Sequence, residues 1–212
     1  SYAQPISEAA VLKTVKHENI VELYDDFVHK DDDNNLWHVT AITLCGGGSL
    51  AEYRRTTHIS EYIARYFFYH IILGLQELHR HQIAHMDIRL ENILIDNNGD
   101  IRLCDFGNAL TWSQLPKDIV KAGTVAGTLS HMPPEMLRME EDYSAEKCDM
   151  WECGLVLYEL LTGKPLFEVK KDDQEVIKRI IMGKFEPLGI GFTAEARDLC
   201  ESLLAENPED RP

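Results

Sequence analysis

The segment HMDIRLENILIDNNGDIRLCDFG, residues 85–107, joins a polar loop, two short apolar strands and a second polar loop in one continuous run. The two strands flank Asn98-Gly99, which is the strongest short-range signal for a β-hairpin. One loop–hairpin–loop unit of this kind presents Asp87 and Asn92 together with Asp105. Because catalytic groups often sit on loops supported by rigid elements, the pattern predicts a functional site here.

The side chains of this unit suit phosphate chemistry. Two carboxylates and an amide oxygen are hard ligands for Mg²⁺, which prefers oxygen donors and brings phosphates with it. Arg89 adds a fixed positive charge beside Asp87 and Asn92. Phosphoryl transfer depends mainly on positioning and charge neutralisation, so the set favours that reaction. Taken alone, Asp87 and Asn92 could equally be residues that cap a loop.

Helical patterns dominate the rest of the chain after residue 49. Apolar residues three and four apart over residues 60–81, with Ser60 as N-cap, predict an amphipathic helix. Residues 149–162 are apolar nearly all round, which predicts a buried helix that ends at Gly163. Two further helices are predicted over residues 173–183 and 193–205.

The chain before residue 49 contains strand patterns. Residues 9–15 predict a helix, and the β-branched and aromatic residues of 19–28 predict a strand. A polar loop separates that strand from a second one predicted over residues 36–44. These two strands are expected to have an uncovered edge, which favours aggregation. The three glycines at 46–48 predict a flexible connector or hinge.

Composition excludes several classes of partner. The chain has 212 residues, with 36 acidic against 21 basic side chains and a formal charge of −15. Such a field repels nucleic acid and anionic membranes and attracts basic proteins or peptides. The five cysteines include no C-x-x-C pair, so reduced thiols in the cytoplasm or nucleus are expected. The sequence contains no apolar run of membrane-spanning length and begins with no signal peptide.

Residues 85–107 resemble the catalytic region of the eukaryotic protein kinases. HMDIRLEN is similar to their catalytic loop, H-R-D-x-K-x-x-N, and DFG at 105–107 is similar to their magnesium-binding motif. The further segments that resemble family motifs are SEAAVLKTVKHENIVEL (7–23), TLCGGGSL (43–50), GTLSHMPPEML (127–137), DMWECGLVLYELLTGKPLF (149–167) and NPEDRP (207–212). The resemblance is to Ser/Thr-directed members, and loosely to the calcium/calmodulin-dependent and AMP-activated groups.

The resemblance implies an α+β, protein-kinase-like fold. Residues 1–44 would be a partial small lobe made of a helix plus two strands, and residues 45–48 the hinge. Residues 49–212 would be a mostly helical large lobe that lacks its last helix. No G-x-G-x-x-G loop occurs, and no strand lysine precedes Glu8, so the chain is expected to be a kinase domain truncated at both ends.

The resemblance also implies catalytic roles, with ATP and Mg²⁺ as cofactors and Ser/Thr hydroxyls of proteins as substrate. Asp87 would orient the substrate hydroxyl and accept its proton. Arg89 would take the place of the lysine that neutralises the γ-phosphate. Asn92 and Asp105 would hold Mg²⁺, and Thr128 would brace Asp87.

The nucleotide would lie against a second set of residues. Glu8 would be the ion-pairing glutamate of the small lobe, although taken alone it is a solvated helix residue. Ile42 would be the gatekeeper, and Leu94 would lie under the adenine. The residues facing the adenine would be Thr43, Leu44 and Cys45.

Some motif residues are implied to be structural or regulatory. Glu135 and Arg211 would form a buried ion pair, and Asp149 would tie the catalytic loop to the buried helix. Met86 stands where the family has an arginine that pairs with a loop phosphate. Activity is therefore expected not to depend on loop phosphorylation, for which the candidate acceptors are Thr111, Ser113 and Thr124.

Three function classes follow from these residues. The first is an ATP-dependent Ser/Thr protein kinase, which the acidic and amide residues of the 85–107 segment favour. The second is a pseudokinase that acts as a binding or scaffold module, which Met86 and the missing lysine and glycine loop favour. The third is a small-molecule phosphotransferase with a similar His-x-Asp-x4-Asn loop. The 127–137 segment and the surroundings of Asp149 fit protein kinases better.

Overall fold

Small antiparallel sheets and a helical body make up the computed structural model, which describes residues 2–112, 118–139, 141–168 and 173–212. The helices are α1 Glu8–Thr14, α2 Leu50–Thr56, α3 Glu61–Arg80, α4 Pro134–Arg138, α5 Ala145–Thr162, α6 Asp173–Ile181 and α7 Ala194–Leu203. The strands are β1 Gln4–Pro5, β2 Leu23–Lys30, β3 Leu36–Ile42, β4 Ile83–Ala84, β5 Ile93–Ile95, β6 Ile101–Leu103, β7 Leu110–Thr111, β8 Ile119–Val120 and β9 Tyr143–Ser144. The α+β class is confirmed.

The first predicted strand begins later than its apolar pattern suggests. β2 and β3 pair antiparallel, from Leu23 opposite Ile42 to Lys30 opposite Leu36. The residues before β2 bind a different strand, because the Val21 N–H donates to the Leu103 carbonyl at 3.0 Å. Residues 19–21 therefore connect the helical body to the hairpin and do not extend it.

The β2–β3 hairpin carries apolar side chains into solvent. In the described residues it is a two-stranded sheet. The large exposed side chains on it are Tyr24, Phe27, Val28, Leu36 and Trp37. The expectation of an uncovered strand pair is confirmed for the part of the chain that the structure describes.

The glycine run is packed against β5, and its role as a flexible connector or hinge stays a prediction. The Gly47 N–H donates to the Ile95 carbonyl at 3.0 Å, and the Ile95 N–H donates to the Gly48 carbonyl at 2.9 Å. A Cβ atom on Gly47 would lie 2.8 Å from that Ile95 oxygen, and Gly48 has a φ of +74°. Glycine is needed here because backbones approach closely and one residue is left-handed.

The helical body matches the predicted pattern closely. The Ser60 hydroxyl accepts the Ile63 N–H and begins α3, whose apolar face is buried. α5 begins four residues before Asp149, because Ser144 caps it and its first turn is polar. Gly163 ends α5 with a φ of +75°, as predicted. α6 and α7 each lie inside their predicted ranges.

The predicted hairpin at Asn98-Gly99 is confirmed with a longer turn. Ile93 pairs with Leu103 and Ile95 pairs with Ile101, so five residues connect β5 to β6. Asp96 organises this turn because its carboxylate accepts the N–H groups of Asn98 and Asp100. The hairpin sits between the helical body and residues 19–21, where it supports the loops at both of its ends.

Short strands that the sequence did not predict surround these loops. β7 pairs with β1 on one side and β4 on the other, and β8 pairs with β9. Each of these strands has two residues, which is too few to produce a periodic pattern. In the described ranges no helix is both long and apolar enough to cross a membrane.

Candidate active site

Asp87 lies in the loop between β4 and β5, and neighbouring side chains hold both of its carboxylate oxygens. The Thr128 hydroxyl and N–H donate to Oδ1 at 2.8 and 3.1 Å. The Asn92 side-chain amide donates to Oδ2 at 3.3 Å and to the Asp87 carbonyl at 2.9 Å. The structure therefore brings three of the predicted site residues together and leaves Asp87 with a fixed orientation.

Arg89 reaches the same group through Thr128. Its Nη1 donates to the Thr128 hydroxyl at 2.7 Å, and its Nε donates to Glu91 at 2.8 Å. The hydrogen bond and charge of Glu91 raise the pKa of Arg89 despite its partial burial. The same hydrogen bond lowers the pKa of Glu91. A permanent cation thus lies beside Asp87, with an acidic partner that the sequence did not single out.

The buried helix α5 holds the loop from below. The Asp149 carboxylate accepts the His85 N–H at 2.9 Å and the Met86 N–H at 2.8 Å, which confirms the predicted tie. His79 on α3 lies 2.7 Å from the same carboxylate. Burial lowers the pKa of His79, but the hydrogen bond and charge of Asp149 outweigh burial, so the pKa is raised.

The loop after β6 brings Asp105 to the same region. The Cys104 N–H donates to the Asn92 carbonyl at 3.0 Å, and the His85 ring lies 3.0 Å from the Cys104 carbonyl. Asp105 is exposed and has a φ of +61°. Burial raises the pKa of the Cys104 thiol to about 12, so this cysteine is an inert neighbour.

The oxygen donors of Asn92 and Asp105 fit a divalent cation. The Asn92 amide nitrogen is already bonded to Asp87, so its oxygen is the atom available to a metal. Asp105 supplies an exposed carboxylate. No cluster of three or more His, Cys, Asp or Glu metal ligands occurs among the described residues. This sparse oxygen set suits Mg²⁺, which keeps water and phosphate ligands of its own.

Glu8 contacts the loop that carries Asp105. It is the first residue of α1, and its Oε1 accepts the Phe106 N–H at 3.3 Å. The His85 ring packs on the Phe106 ring, with centroids 5.0 Å apart. Helix α1 is therefore linked directly to the catalytic region, a contact for which the sequence carried no signal.

The predicted adenine-facing residues divide into two groups. Ile42, Cys45 and Leu94 are partly buried and pack against the same apolar core. Thr43 instead turns its N–H to the Glu22 carbonyl at 2.9 Å. Leu44 is 81% exposed. Three of the predicted residues thus contact the main apolar core, whereas Leu44 faces solvent.

The segment after Thr128 is anchored by the predicted ion pair. Arg211 donates from Nη1 and Nη2 to the two oxygens of Glu135, at 2.6 and 2.8 Å, which confirms the pair. Burial lowers the pKa of nearby His131 to about 4, so this histidine is neutral.

Two of the candidate phosphorylation acceptors can be placed. Thr111 lies in β7, where its hydroxyl donates to the Gln82 carbonyl at 3.0 Å. Thr124 is exposed in a turn. Ser113 lies outside the described residues.

Comparison with known proteins agrees with this geometry. Residues 2–212 match the family described as protein kinase domain. The chain belongs to the protein kinase domain family. The predicted resemblance and the kinase-like fold are therefore confirmed.

Several curated kinases resemble the chain over almost its full length. It is 34% identical to Aurora kinase of Schizosaccharomyces pombe, covering 96% of this chain and 54% of that protein. It is 30% identical to probable serine/threonine-protein kinase MARK-B of Dictyostelium discoideum, covering 96% of this chain and 28% of that protein. It is 31% identical to serine/threonine-protein kinase PLK4 of Danio rerio, covering 98% of this chain and 21% of that protein. The chain thus spans about half or less of these relatives.

Proposed function

We propose that this kinase domain transfers the γ-phosphate of ATP to Ser or Thr hydroxyls of protein substrates. The observation that carries the proposal is the Asp87 carboxylate, held by Thr128 and Asn92 at the end of the hairpin that also leads to Asp105. The relatives named serine/threonine-protein kinases support the same reaction and the same substrate class.

Asp87 would orient the hydroxyl and accept its proton. Thr128 supplies two donors to Oδ1, so that oxygen is already satisfied. Oδ2 has one longer contact, to Asn92 at 3.3 Å, and can accept the substrate hydroxyl. A base held in one orientation avoids the entropic cost of finding it during the reaction.

The charges around Asp87 would act on the transferred phosphate. Bound Mg²⁺ would neutralise phosphate charge and join the nucleotide to the protein. Asn92 and Asp105 would hold the ion through oxygen atoms, as their placement allows. Arg89 would add a cation that keeps its charge at every physiological pH, because Glu91 raises its pKa further.

Ile42, Cys45 and Leu94 would form the apolar contact for adenine, because they pack on one core. Thr43 and Leu44 would contribute backbone carbonyl groups to the same adenine site.

A binding module without transfer is the second candidate, and the position of Glu8 favours it. Its Oε1 is bonded to the Phe106 N–H, where the family resemblance implies a lysine partner. In this reading the Asp87 region would bind nucleotide or a partner as a fixed surface.

Transfer and binding are separated by measuring both on the same chain. Mg²⁺–ATP affinity is measured by calorimetry, and transfer is measured with radiolabelled ATP on basic peptides containing Ser, Thr or Tyr. We expect Asp87→Asn to lower kcat by about a thousandfold, since a positioned base contributes roughly 10²–10⁴. Asp32→Asn makes the same chemical change in an exposed loop and should leave kcat unchanged. Wild-type binding of Mg²⁺–ATP without transfer would establish the binding module instead.

The expected environment of the protein follows from charge and cysteine chemistry. All five cysteines are free thiols, which supports a cytoplasmic or nuclear location. The charge of −15 supports basic segments of proteins as substrates over nucleic acid or membrane surfaces.

A further inference from the structure

Glu152 is a buried carboxyl group that the proposed reaction does not use. It lies on α5, is 1% exposed, and its Oε2 accepts the Ile88 N–H at 2.6 Å. The kinase motif that this segment resembles, D-x-W-S-x-G, has serine at this position. A buried carboxyl is costly to retain unless it makes good contacts, so its presence here calls for a physical reason.

The backbone on both sides of Asp87 is held by carboxyl groups of one helix. Asp149 accepts the N–H groups of His85 and Met86, before Asp87. Glu152 accepts the Ile88 N–H, directly after Asp87. Residues three apart on a helix lie on the same face, so the two acceptors form one rigid pair.

The conformation of the loop explains why a second acceptor is needed. Met86 has a φ of +64°, which is an uncommon conformation for a residue with a side chain. Such a backbone persists when its surroundings over-determine it. The Asp149 contacts fix the chain before Asp87, and the Glu152 contact fixes its exit.

We propose that Glu152 is a positioning residue for Asp87, because it fixes the backbone that follows the catalytic aspartate. The inference rests on the proposed function for its catalytic consequence, whereas the backbone contact itself does not depend on activity. Glu152 acts through the Ile88 N–H and touches neither substrate nor nucleotide.

The surroundings of Glu152 favour its neutral form. Burial raises its pKa most, the charges of Asp149 and Asp87 raise it further, and the Ile88 N–H opposes them. The other titratable groups that interact with it or with Asp149 are the thiols of Cys148 and Cys153 and the carboxyl of Glu146 on α5, and His79 on α3. A neutral acid avoids three adjacent negative charges beneath the loop. Ionisation at high pH should therefore loosen the segment that carries Asp87.

The backbone contact is tested by nuclear magnetic resonance on the ¹⁵N-labelled 212-residue chain. The Ile88 amide shift should titrate with a midpoint well above that of an ordinary glutamate, and Glu152→Gln should abolish this titration. Glu152→Leu should speed hydrogen exchange of the Ile88 amide by about three- to tenfold, the loss expected for one hydrogen bond between neutral groups. Glu195→Gln, an exposed glutamate on α7, is the matched control and should change neither property.

Catalysis is measured on the same variants to test positioning. Glu152→Leu should lower kcat about three- to tenfold, with little change in KM for ATP. Glu152→Gln mimics the neutral acid and should restore kcat while removing its decline at high pH. If Glu152→Leu does not fold, the wild-type and Gln pH profiles decide the question.

The possible failures are distinguishable. An active wild-type chain in which neither variant alters kcat or its pH profile would overturn the positioning role. An Ile88 amide that does not titrate with Glu152 would overturn the proposed contact. An inactive wild type whose Ile88 amide still titrates with Glu152 would overturn the proposed function and support the backbone contact.

Discussion

The buried pair between Glu135 and Arg211 should dominate the stability of the segment that carries Thr128. The Arg211 side chain is fully buried, whereas the Glu135 side chain keeps 11% of its surface exposed. Besides Glu135, the Arg211 guanidinium donates to the carbonyl groups of Lys147, Ala205 and Glu206. Glu135→Gln would leave the arginine charge buried with neutral acceptors alone.

The asymmetry of burial sets the expected magnitudes. Removing one partner of a buried ion pair costs about 3–5 kcal/mol, and Glu135→Gln should fall in that range. Arg211→Met should lower the free energy of unfolding by less than Glu135→Gln does, because the remaining Glu135 carboxylate can bind water at its exposed side. The double variant should cost less than the sum of the two single changes, since neither charge is then left alone.

Urea unfolding of the variants measures these costs directly. The Arg211 guanidinium lies 5.1 Å from the Trp151 ring, so tryptophan fluorescence reports on this region. Glu209→Gln changes an exposed glutamate nearby and should alter the free energy of unfolding by less than about 0.5 kcal/mol. A cost below about 1 kcal/mol for Glu135→Gln would refute the reasoning from burial.

Three further predictions concern the glycine run, the loop and pH. Gly47→Ala should lower the free energy of unfolding by about 1–3 kcal/mol in urea melts, because its Cβ meets the backbone, whereas Gly189→Ala, which meets nothing, should not. Thr124→Ala should leave initial transfer rates of the chain nearly unchanged, because Met86 cannot bind a loop phosphate. His79→Gln should flatten the loss of stability above about pH 6.5 in urea melts at several pH values.

The sign of the His79 prediction follows from its raised folded-state pKa. Burial lowers that pKa, but Asp149 raises it more. The stabilisation is therefore complete below the ordinary histidine pKa and disappears as pH rises through the folded-state value. Unfolding free energy that rises above neutral pH in the wild type alone would contradict the assignment. For Thr124, a loss of most activity in the alanine variant would contradict phosphorylation independence.

Long periodic segments and dense motifs could be predicted from the sequence. α3 was predicted because its apolar residues repeat over twenty positions and Ser60 caps it. The neighbourhood of Asp87 was predicted because hairpin connectivity brings two loops together. The roles proposed for these residues remain predictions that the activity assays test.

Contacts made by single backbone groups left no signal in the sequence. The Glu8 contact to the Phe106 N–H joins residues 98 positions apart, so no local pattern encodes it. The two-residue strands and the early start of α5 were not predicted for a related reason, because too few residues are present to form a periodic pattern. The close packing at Gly47 left no signal in the sequence, because glycine serves both flexibility and close packing, and only the position of Ile95 reveals the contact.

Met86 and Glu152 together change how the catalytic loop is held. Met86 is fully buried in an apolar cluster with Trp112, Met132 and Met136. Trp112 lies between the phosphorylation candidates Thr111 and Ser113, and the two methionines follow the third candidate, Thr124. An arginine there would need an anion in that cluster, because an unpaired buried charge is strongly destabilising. Packing takes the place of that charge pair, and Glu152 adds a backbone contact on the other side of Asp87. Met86→Arg should therefore destabilise the fold without making activity depend on phosphate, since it places a charge in an apolar cluster.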